Sequence, residues 1–338
     1  SNAMKKTSLP IPIGWYAVAV SDKLSSKEVK PLYFFAKDLV LYRTETGIPV
    51  LLDAFCPHLG AHLGHGGEVH GESIACPFHG WEFDGDGMCT SVPYAKNIPT
   101  KVKDKPCIDG YPIREINGTI FAWYHPRKLA PIFDVDEVPY LNSPDWKETG
   151  RYEWEINTCV QETGENGVDI AHFVYVHSSI EMPKAEIQLK GHHRVTTMIS
   201  KVPAQDENGV LDTTGEKWEK SALSTTSCGP GMTYQTFDRG FVLFMQGTIT
   251  PIDESRVSMR WIFASPADQD ETAAFFAKVV QDNVVEQVGH DVPIWEHKIY
   301  QPNPILCDGD GPIAKYRKWF NQFYDDGDST PVRLVKSN

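Results

Sequence analysis

Cys56-Pro57-His58-Leu59-Gly60-Ala61-His62-Leu63-Gly64 and Cys76-Pro77-Phe78-His79-Gly80-Trp81 are two versions of one short pattern. Each supplies one thiol and one imidazole, Cys56 with His58 and Cys76 with His79, and 17 residues separate His58 from Cys76. Glycines at 60, 64, 66, 67 and 80 and prolines at 57 and 77 suit tight loops whose backbone N–H groups can approach a sulfur. Outward from these boxes, residues 32–123 read as short strands punctuated by Gly, Pro and Asp, with no helical period of any length. LYFFAKDLVLYRTETGIPVLLDAF (32–55) gives two or three alternating segments around a turn at Glu45-Thr46-Gly47, and NGTIFAWYH (117–125) adds another strand. The expectation is a small all-β unit over residues 12–130.

Two loops that each give one Cys and one His match the needs of a Rieske [2Fe–2S] centre, in which two thiolates hold one iron and two imidazoles the other. The competing reading is a structural Cys2His2 zinc site. Zinc fingers usually pair Cys with Cys and His with His, whereas here a Cys and a His stand one residue apart in one box and two in the other, which favours iron–sulfur. His62, His65 and His70 fall outside the pattern and read as exposed loop residues; Cys89, Cys107, Cys159, Cys228 and Cys307 read as ordinary buried thiols.

The chain has 338 residues, enough for two domains or one large one. With 41% hydrophobic and 23% charged residues it has the composition of a globular protein, and seven cysteines are too few for a disulfide scaffold. The net charge of −13 opposes binding to phosphate backbones or anionic membranes, so nucleic acid is not an expected partner. Ser1-Asn2-Ala3 before Met4 reads as a tag-removal scar, no signal peptide follows, and no apolar run approaches membrane-spanning length; a cytoplasmic location is expected. Pro126, Pro131, Pro139 and Pro144 form a connector that cannot be helical, placing a boundary near residue 130. Beyond it come a strand at 151–158, a short helix around 165–176, strands at FVLFMQGTITPI (241–252) and SMRWIFASP (258–266), and a long helix over 271–300. This mixture predicts an α+β second unit, residues 131–338, with a curved sheet around a helix.

ENGVDIAHFVYVH (165–177) carries a second constellation: Asn166, Asp169, His172 and His177. On a helix Asp169 and His172 share a face, as a ligand and a supporting carboxylate do. His177, five residues on, lies about 140° away, so both histidines reach one metal only if the helix distorts or ends. Two His and one carboxylate is the facial set of non-haem Fe(II) oxygenases. On the long helix, Asp282 and Asp291 are nine residues apart and fall on opposite sides, so only one can face the core. Asp291 shares its stripe with Ala273, Val280, Val284, Val288 and Trp295, and a carboxylate there is costly unless paired or metal-bound. Asp291 is therefore the candidate third ligand.

With both constellations in order, residues 12–324 resemble the oxygenase (alpha) component of the Rieske non-haem iron oxygenases. GWYAVAVSD, CPHLGAHLGHGG, CPFHGWEFDGDGMC, ENGVDIAHFVYVH, HDVPIWEHK and NPILCDGDGP resemble most the 3-ketosteroid 9α-hydroxylase oxygenase and cholesterol 7-desaturase group. Ala61 and Phe78 stand where the respiratory-chain branch has extra cysteines. The resemblance implies a Rieske domain followed by a helix-grip catalytic domain, a curved antiparallel sheet around the long C-terminal helix. It implies Cys56, His58, Cys76 and His79 as cluster ligands, and His172, His177 and Asp291 as ligands of a mononuclear Fe(II). Asp169 would bridge a cluster histidine of one subunit to an iron histidine of the next, with Asn166 near the iron. It further implies a head-to-tail homotrimer, electrons from NAD(P)H through a separate ferredoxin and/or flavin reductase, and O2-dependent hydroxylation or desaturation of a hydrophobic, steroid- or sterol-like substrate. No nucleotide fingerprint is present to supply a reductase internally. The alternatives are an O-demethylase or ring hydroxylase for a smaller aromatic and, in a different class, a Rieske electron-transfer protein or a lipid-binding module.

Overall fold

The alternating apolar segments of the first hundred residues become ten short strands, and what they bury decides how the loops between them are held. The structure is a computed structural model describing residues 6–169, 183–210 and 212–327. β1 (Gly14–Val20) pairs with β10 (Thr119–Tyr124), which pairs with β9 (Ile113–Ile116). β2 (Val29–Phe34), β3 (Lys37–Arg43) and β4 (Pro49–Asp53) form a second sheet, and β5 (Glu68–His70), β6 (Ser73–Ala75), β7 (Glu82–Phe83) and β8 (Cys89–Ser91) a third. The turn expected at residues 45–47 joins β3 to β4, closed by Thr44 N–H to the Ile48 carbonyl (2.9 Å).

The second unit is a seven-stranded antiparallel sheet of spatial order β11-β17-β16-β15-β14-β13-β12. Its strands are β11 (Trp146–Ile156), β12 (Lys184–Lys190), β13 (His193–Pro203), β14 (Trp218–Cys228), β15 (Met232–Asp238), β16 (Val242–Asp253) and β17 (Arg256–Pro266). Alternation along β16 sends Leu243 and Met245, with Phe263 of β17, under Ala277 of the long helix, while Phe244 packs on Tyr140 at 4.9 Å. Among the described residues the α-helices are α1 (Val160–Glu165), α2 (Glu271–His297) and α3 (Ile313–Phe320). α2 is the expected long helix, three residues shorter than read; Asp270 caps it by accepting from Ala273 N–H (2.8 Å). Gln281 ties it to the sheet, bonding Thr149 and Tyr152 of β11. The α+β expectation therefore holds.

Of the helix expected over 165–176, residues 170–176 lie outside the described residues; the described helical turns are at Val160–Glu165, and a turn at residues 166–168 leads to Asp169. Gly164, Gly167 and Asn166 explain the stop, since glycine and asparagine favour helix ends.

The two units share one core, running from Trp15 and Trp123 (5.5 Å apart, edge-on) through Phe133 to Phe323. A turn without glycine helps to dock them. Phe35 and Ala36, between β2 and β3, both have left-handed backbones (φ 59° and 57°) and donate their N–H groups to Pro251 and Ile252 of β16 (2.9 and 2.8 Å). That conformation is costly for residues with a Cβ, and packing offsets the cost. The Phe35 ring is buried and stacks on Tyr111 (5.9 Å) and Tyr124 (5.0 Å). Phe35→Ala should destabilise the protein by about 3–5 kcal/mol, measured by denaturant unfolding; a loss below about 1 kcal/mol would mean that the ring is not an anchor.

Candidate metal centres

The two Cys-Pro boxes fold into near copies of each other. Cys56 N–H bonds the Ala61 carbonyl (2.8 Å) and Gly60 N–H the Cys56 carbonyl (2.9 Å); Cys76 N–H bonds Trp81 (2.7 Å) and Gly80 N–H bonds Cys76 (3.0 Å). Gly60 and Gly80 both have left-handed backbones, φ 83° and 75°, which is why each box has glycine there. Both cysteines are buried, and their side chains are in hydrogen-bond contact. Burial, with Cys76 alongside, pushes the Cys56 thiol up to about 12, while the N–H groups of His58 and Leu59 aimed at it act in the opposite direction. The imidazoles of His58 and His79 lie 4.9 Å apart, and His79 Nδ1 is buried with no hydrogen-bond partner among the described residues. Two buried sulfurs, that of Cys56 receiving N–H groups, beside an imidazole nitrogen lacking a partner among the described residues, are a donor set that fits a [2Fe–2S] cluster.

Trp81, inside the second box, was not singled out as functional. Its ring stacks on His58 (4.4 Å, 12°) and its Nε1 donates to Tyr94 Oη (2.8 Å), fixing the plane of one candidate ligand. An aromatic two residues after His79 was the signal available. Around the histidines, Phe55, Leu59, Phe78 and Tyr94 are exposed. His65 and His70 are exposed as expected, but His62 is half-buried and bonds Gly64 N–H (2.9 Å). Of the five remaining cysteines only Cys89 and Cys228 are buried; Cys107 and Cys159 are half-buried and Cys307 is exposed, because its loop lies on the surface before α3.

The second constellation is assembled from α1, the turn after it and α2. α1 is anchored by α3 and the chain beyond it. Arg317 forms a two-pronged ion pair with Glu165 (2.6 and 3.0 Å), Tyr316 Oη donates to the Gln161 carbonyl (2.9 Å), and Tyr324 Oη donates to Gln161 Oε1 (2.8 Å). A Cβ at Gly164 would stand 2.4 Å from Tyr316 Oη, so glycine is what lets the helices approach. At the end of α1, Asn166 donates its side-chain hydrogen bond to Asp291 of α2, and Asp169 follows within electrostatic range. Asp291 is 8% exposed and Asp282 is exposed, paired with Lys278. Burial, opposed by the Asn166 hydrogen bond and aided by the negative charge of Asp169, raises the Asp291 carboxyl to about 7. Such a group gains from a bound cation, and its oxygens suit Fe(II). The structure thus brings together Asn166, Asp169 and Asp291; His172 and His177 lie outside the described residues.

Comparison with known proteins places these centres. Residues 14–103 match the family model of the Rieske [2Fe-2S] domain, and residues 122–324 that of the 3-ketosteroid 9alpha-hydroxylase C-terminal domain. The chain belongs to the Rieske non-haem iron oxygenases. A cholesterol 7-desaturase of Ciona intestinalis is 32% identical, over 96% of this chain and 71% of the relative. A probable 3-ketosteroid-9-alpha-monooxygenase oxygenase component of Rhodococcus rhodochrous is 30% identical, over 95% and 82%. NdmA of Pseudomonas putida CBB5, solved with caffeine, superposes with a TM-score of 0.70 at 19% identity, over 91% of this chain and 89% of that one. Dicamba monooxygenase bound to dicamba gives 0.66 at 17%, over 92% and 96%; at these identities the fold is what is shared. As a Rieske oxygenase component the chain uses a [2Fe–2S] cluster and a mononuclear non-haem iron, and works with a partner reductase or ferredoxin.

In iron-free oxygenase the raised Asp291 value has a definite sign. The folded chain keeps a proton that the unfolded chain, titrating near 3.8, has released. The contribution of this group to stability is therefore greatest below pH 4, falls as pH rises, and is lost above about 7. From pH 5 to 8 this group should remove roughly 2–3 kcal/mol, and Asp291→Asn should flatten the thermal-unfolding profile over that range. Identical pH profiles for the two iron-free proteins would refute this.

Proposed function

We propose that this oxygenase hydroxylates or desaturates a hydrophobic sterol- or steroid-like substrate, using O2 and electrons from NAD(P)H relayed by a ferredoxin and/or flavin reductase. The observation that carries the site assignment is the convergence of Asn166, Asp169 and the buried Asp291, three residues from two distant segments. In this reading residues 12–130 form the cluster domain and 131–338 the catalytic domain. Cys56 and Cys76 hold one iron of the cluster, His58 and His79 the other, and His172, His177 and Asp291 hold the mononuclear iron. When bound, the two centres supply the electrons and the O2 chemistry that attack a C–H bond.

The chain's own residues do the positioning. Asn166 orients the Asp291 carboxylate through its amide, and Arg317 and Tyr316 fix α1 so that Asn166 stays in reach. Asp169 is the bridging carboxylate, accepting from an iron histidine, His172, and from a cluster histidine, His79, of the neighbouring subunit. That role requires a head-to-tail ring, which we take to be a trimer. The exposed Phe55, Leu59, Phe78 and Tyr94 around His58 and His79 are what such a docking edge would present. The similarity to proteins named cholesterol 7-desaturase and 3-ketosteroid-9-alpha-monooxygenase supports a hydrophobic substrate. No helix among the described residues is long and apolar enough to cross a membrane, and a cytoplasmic location is part of the proposal.

Metal content separates the classes: about three irons per chain for the oxygenase, two for an electron-transfer protein, none for a lipid-binding module. Turnover with a compatible reductase should give hydroxylated or desaturated sterol or steroid; clean demethylation or ring hydroxylation of small aromatics, with no steroid product, would overturn the substrate assignment. Asp169→Ala should keep both centres yet lose turnover by at least about 100-fold. Normal coupled turnover in that variant would refute the bridge.

A further inference from the structure

Four potential metal-binding side chains outside both centres converge where the connector between the units crosses the catalytic sheet. Asp136 belongs to the connector, His192 and His193 to the turn that opens β13, and Cys228 to the last position of β14. Each offers one ligand atom, and all four atoms lie within 4.8 Å of one another. We propose that these residues form a structural site for a divalent transition metal of the zinc class, fastening the connector to the catalytic sheet.

The residues are placed as such a site requires. His193 pairs with Cys228 across the β13–β14 ladder, so sheet register brings an imidazole and a sulfur together without any sequence spacing between them. His193 Nε2 stands 2.9 and 2.8 Å from the two carboxylate oxygens of Asp136, so both groups point at one place. Tyr234 Oη donates to Asp136 Oδ2 (2.8 Å), which orients the carboxylate and leaves Oδ1 available to a metal. Cys228 is 4% exposed; its sulfur receives the Asp136 N–H, and its thiol donates to the Asp134 carbonyl (3.5 Å).

The observation that goes beyond a polar cluster is His192. It is 7% exposed, and its ring lies between Phe133 (4.3 Å, stacked) and His193 (4.0 Å). Its Nε2 is buried with no hydrogen-bond partner among the described residues. A buried imidazole nitrogen left without a partner is costly, and a metal beside Asp136, His193 and Cys228 supplies a contact. One carboxylate, one thiolate and two neutral imidazoles around a dication give a neutral assembly, which burial requires. The mix of N, S and O donors suits tetrahedral zinc, with bonds of about 2.0–2.3 Å; His193 Nε2 and the Asp136 carboxylate, 2.8 and 2.9 Å apart, would part slightly while the other donors close in. On binding, the Cys228 sulfur gives up its proton to solvent and exchanges the Asp134 contact for the metal, and His193 Nε2 gives up the hydrogen it shares with Asp136, to solvent or by a shift to Nδ1; no redox change is involved.

The test uses the full holoprotein. It is incubated with zinc, gel-filtered against a weak chelator, and its metals are counted by plasma mass spectrometry. About one zinc per chain should remain in addition to iron, and it should fall at least tenfold in Cys228→Ser and His192→Ala. Both variants should keep the visible and EPR spectra of the [2Fe–2S] cluster; if His192→Ala fails to fold, Cys228→Ser, a one-atom change, decides. Asp291→Ala should retain the zinc, which separates this site from the mononuclear iron centre. Zinc absent from the wild type, retained in a folded Cys228→Ser protein, or lost only in Asp291→Ala would overturn the proposal.

Discussion

Asp291 is placed on the inner stripe of α2, where a carboxylate is costly, and much of the catalytic unit is arranged around it. The Asn166 amide donates to it and the charge of Asp169 opposes its ionisation. The cost of burying it has to be met by packing elsewhere. α1, only six residues long, could not hold Asn166 in place on its own helical propensity. Arg317 on Glu165, Tyr316 on the Gln161 backbone and Tyr324 on the Gln161 side chain supply the restraint. Lys298, just beyond α2, neutralises buried Glu162 at 2.8 Å. Both acidic residues buried on α1, Glu162 and Glu165, thus face a cation.

The cluster loops obey a different constraint. Their backbones close on themselves through paired N–H to carbonyl bonds, so their shape is set locally by Gly60 and Gly80. Their position relative to the catalytic sheet is set by long-range packing. The Phe35-Ala36 turn reaches β16 with two backbone hydrogen bonds, Ile13 N–H bonds the Phe323 carbonyl (2.6 Å), and Arg127 grips Asp325 with both prongs at 2.7 Å. Local closure with long-range docking makes the cluster loops rigid while leaving the ring of exposed aromatics around His58 and His79 for contact with another molecule.

The difference between local and long-range determination also explains what could be read from the sequence. The Cys-X-His and Cys-X-X-His boxes were legible because the Cys and His of each sit on one contiguous loop, and the Asp291 stripe because a 27-residue helix repeats its face many times. The strands at residues 184–238 were not itemised. KAEIQLK and WEKSALSTTSC carry their apolar residues singly among charges and hydroxyls, since much of that part of the sheet is half-exposed. The helical turns at Val160–Glu165 were not legible because the meaning of Gly164 depends on Tyr316, some 150 residues away. The Phe35-Ala36 turn was invisible because neither residue favours a left-handed backbone; only stacking on Tyr111 and Tyr124 makes it tolerable.

The connector shows how far tertiary structure can alter the meaning of a residue. From sequence, residues 125–145 are a proline-rich spacer and Cys228 is one thiol among five. In the fold, Asn117 clamps the spacer from the cluster side, donating to the Asp136 carbonyl (2.8 Å) and accepting from Val138 N–H (2.7 Å), while Trp15 Nε1 donates to the Phe133 carbonyl (2.7 Å). His192, His193, Tyr234 and Cys228 hold the same few residues from the catalytic side. A segment gripped from both units cannot act as a flexible tether. It behaves as a wedge, and its geometry contributes to where the cluster edge points.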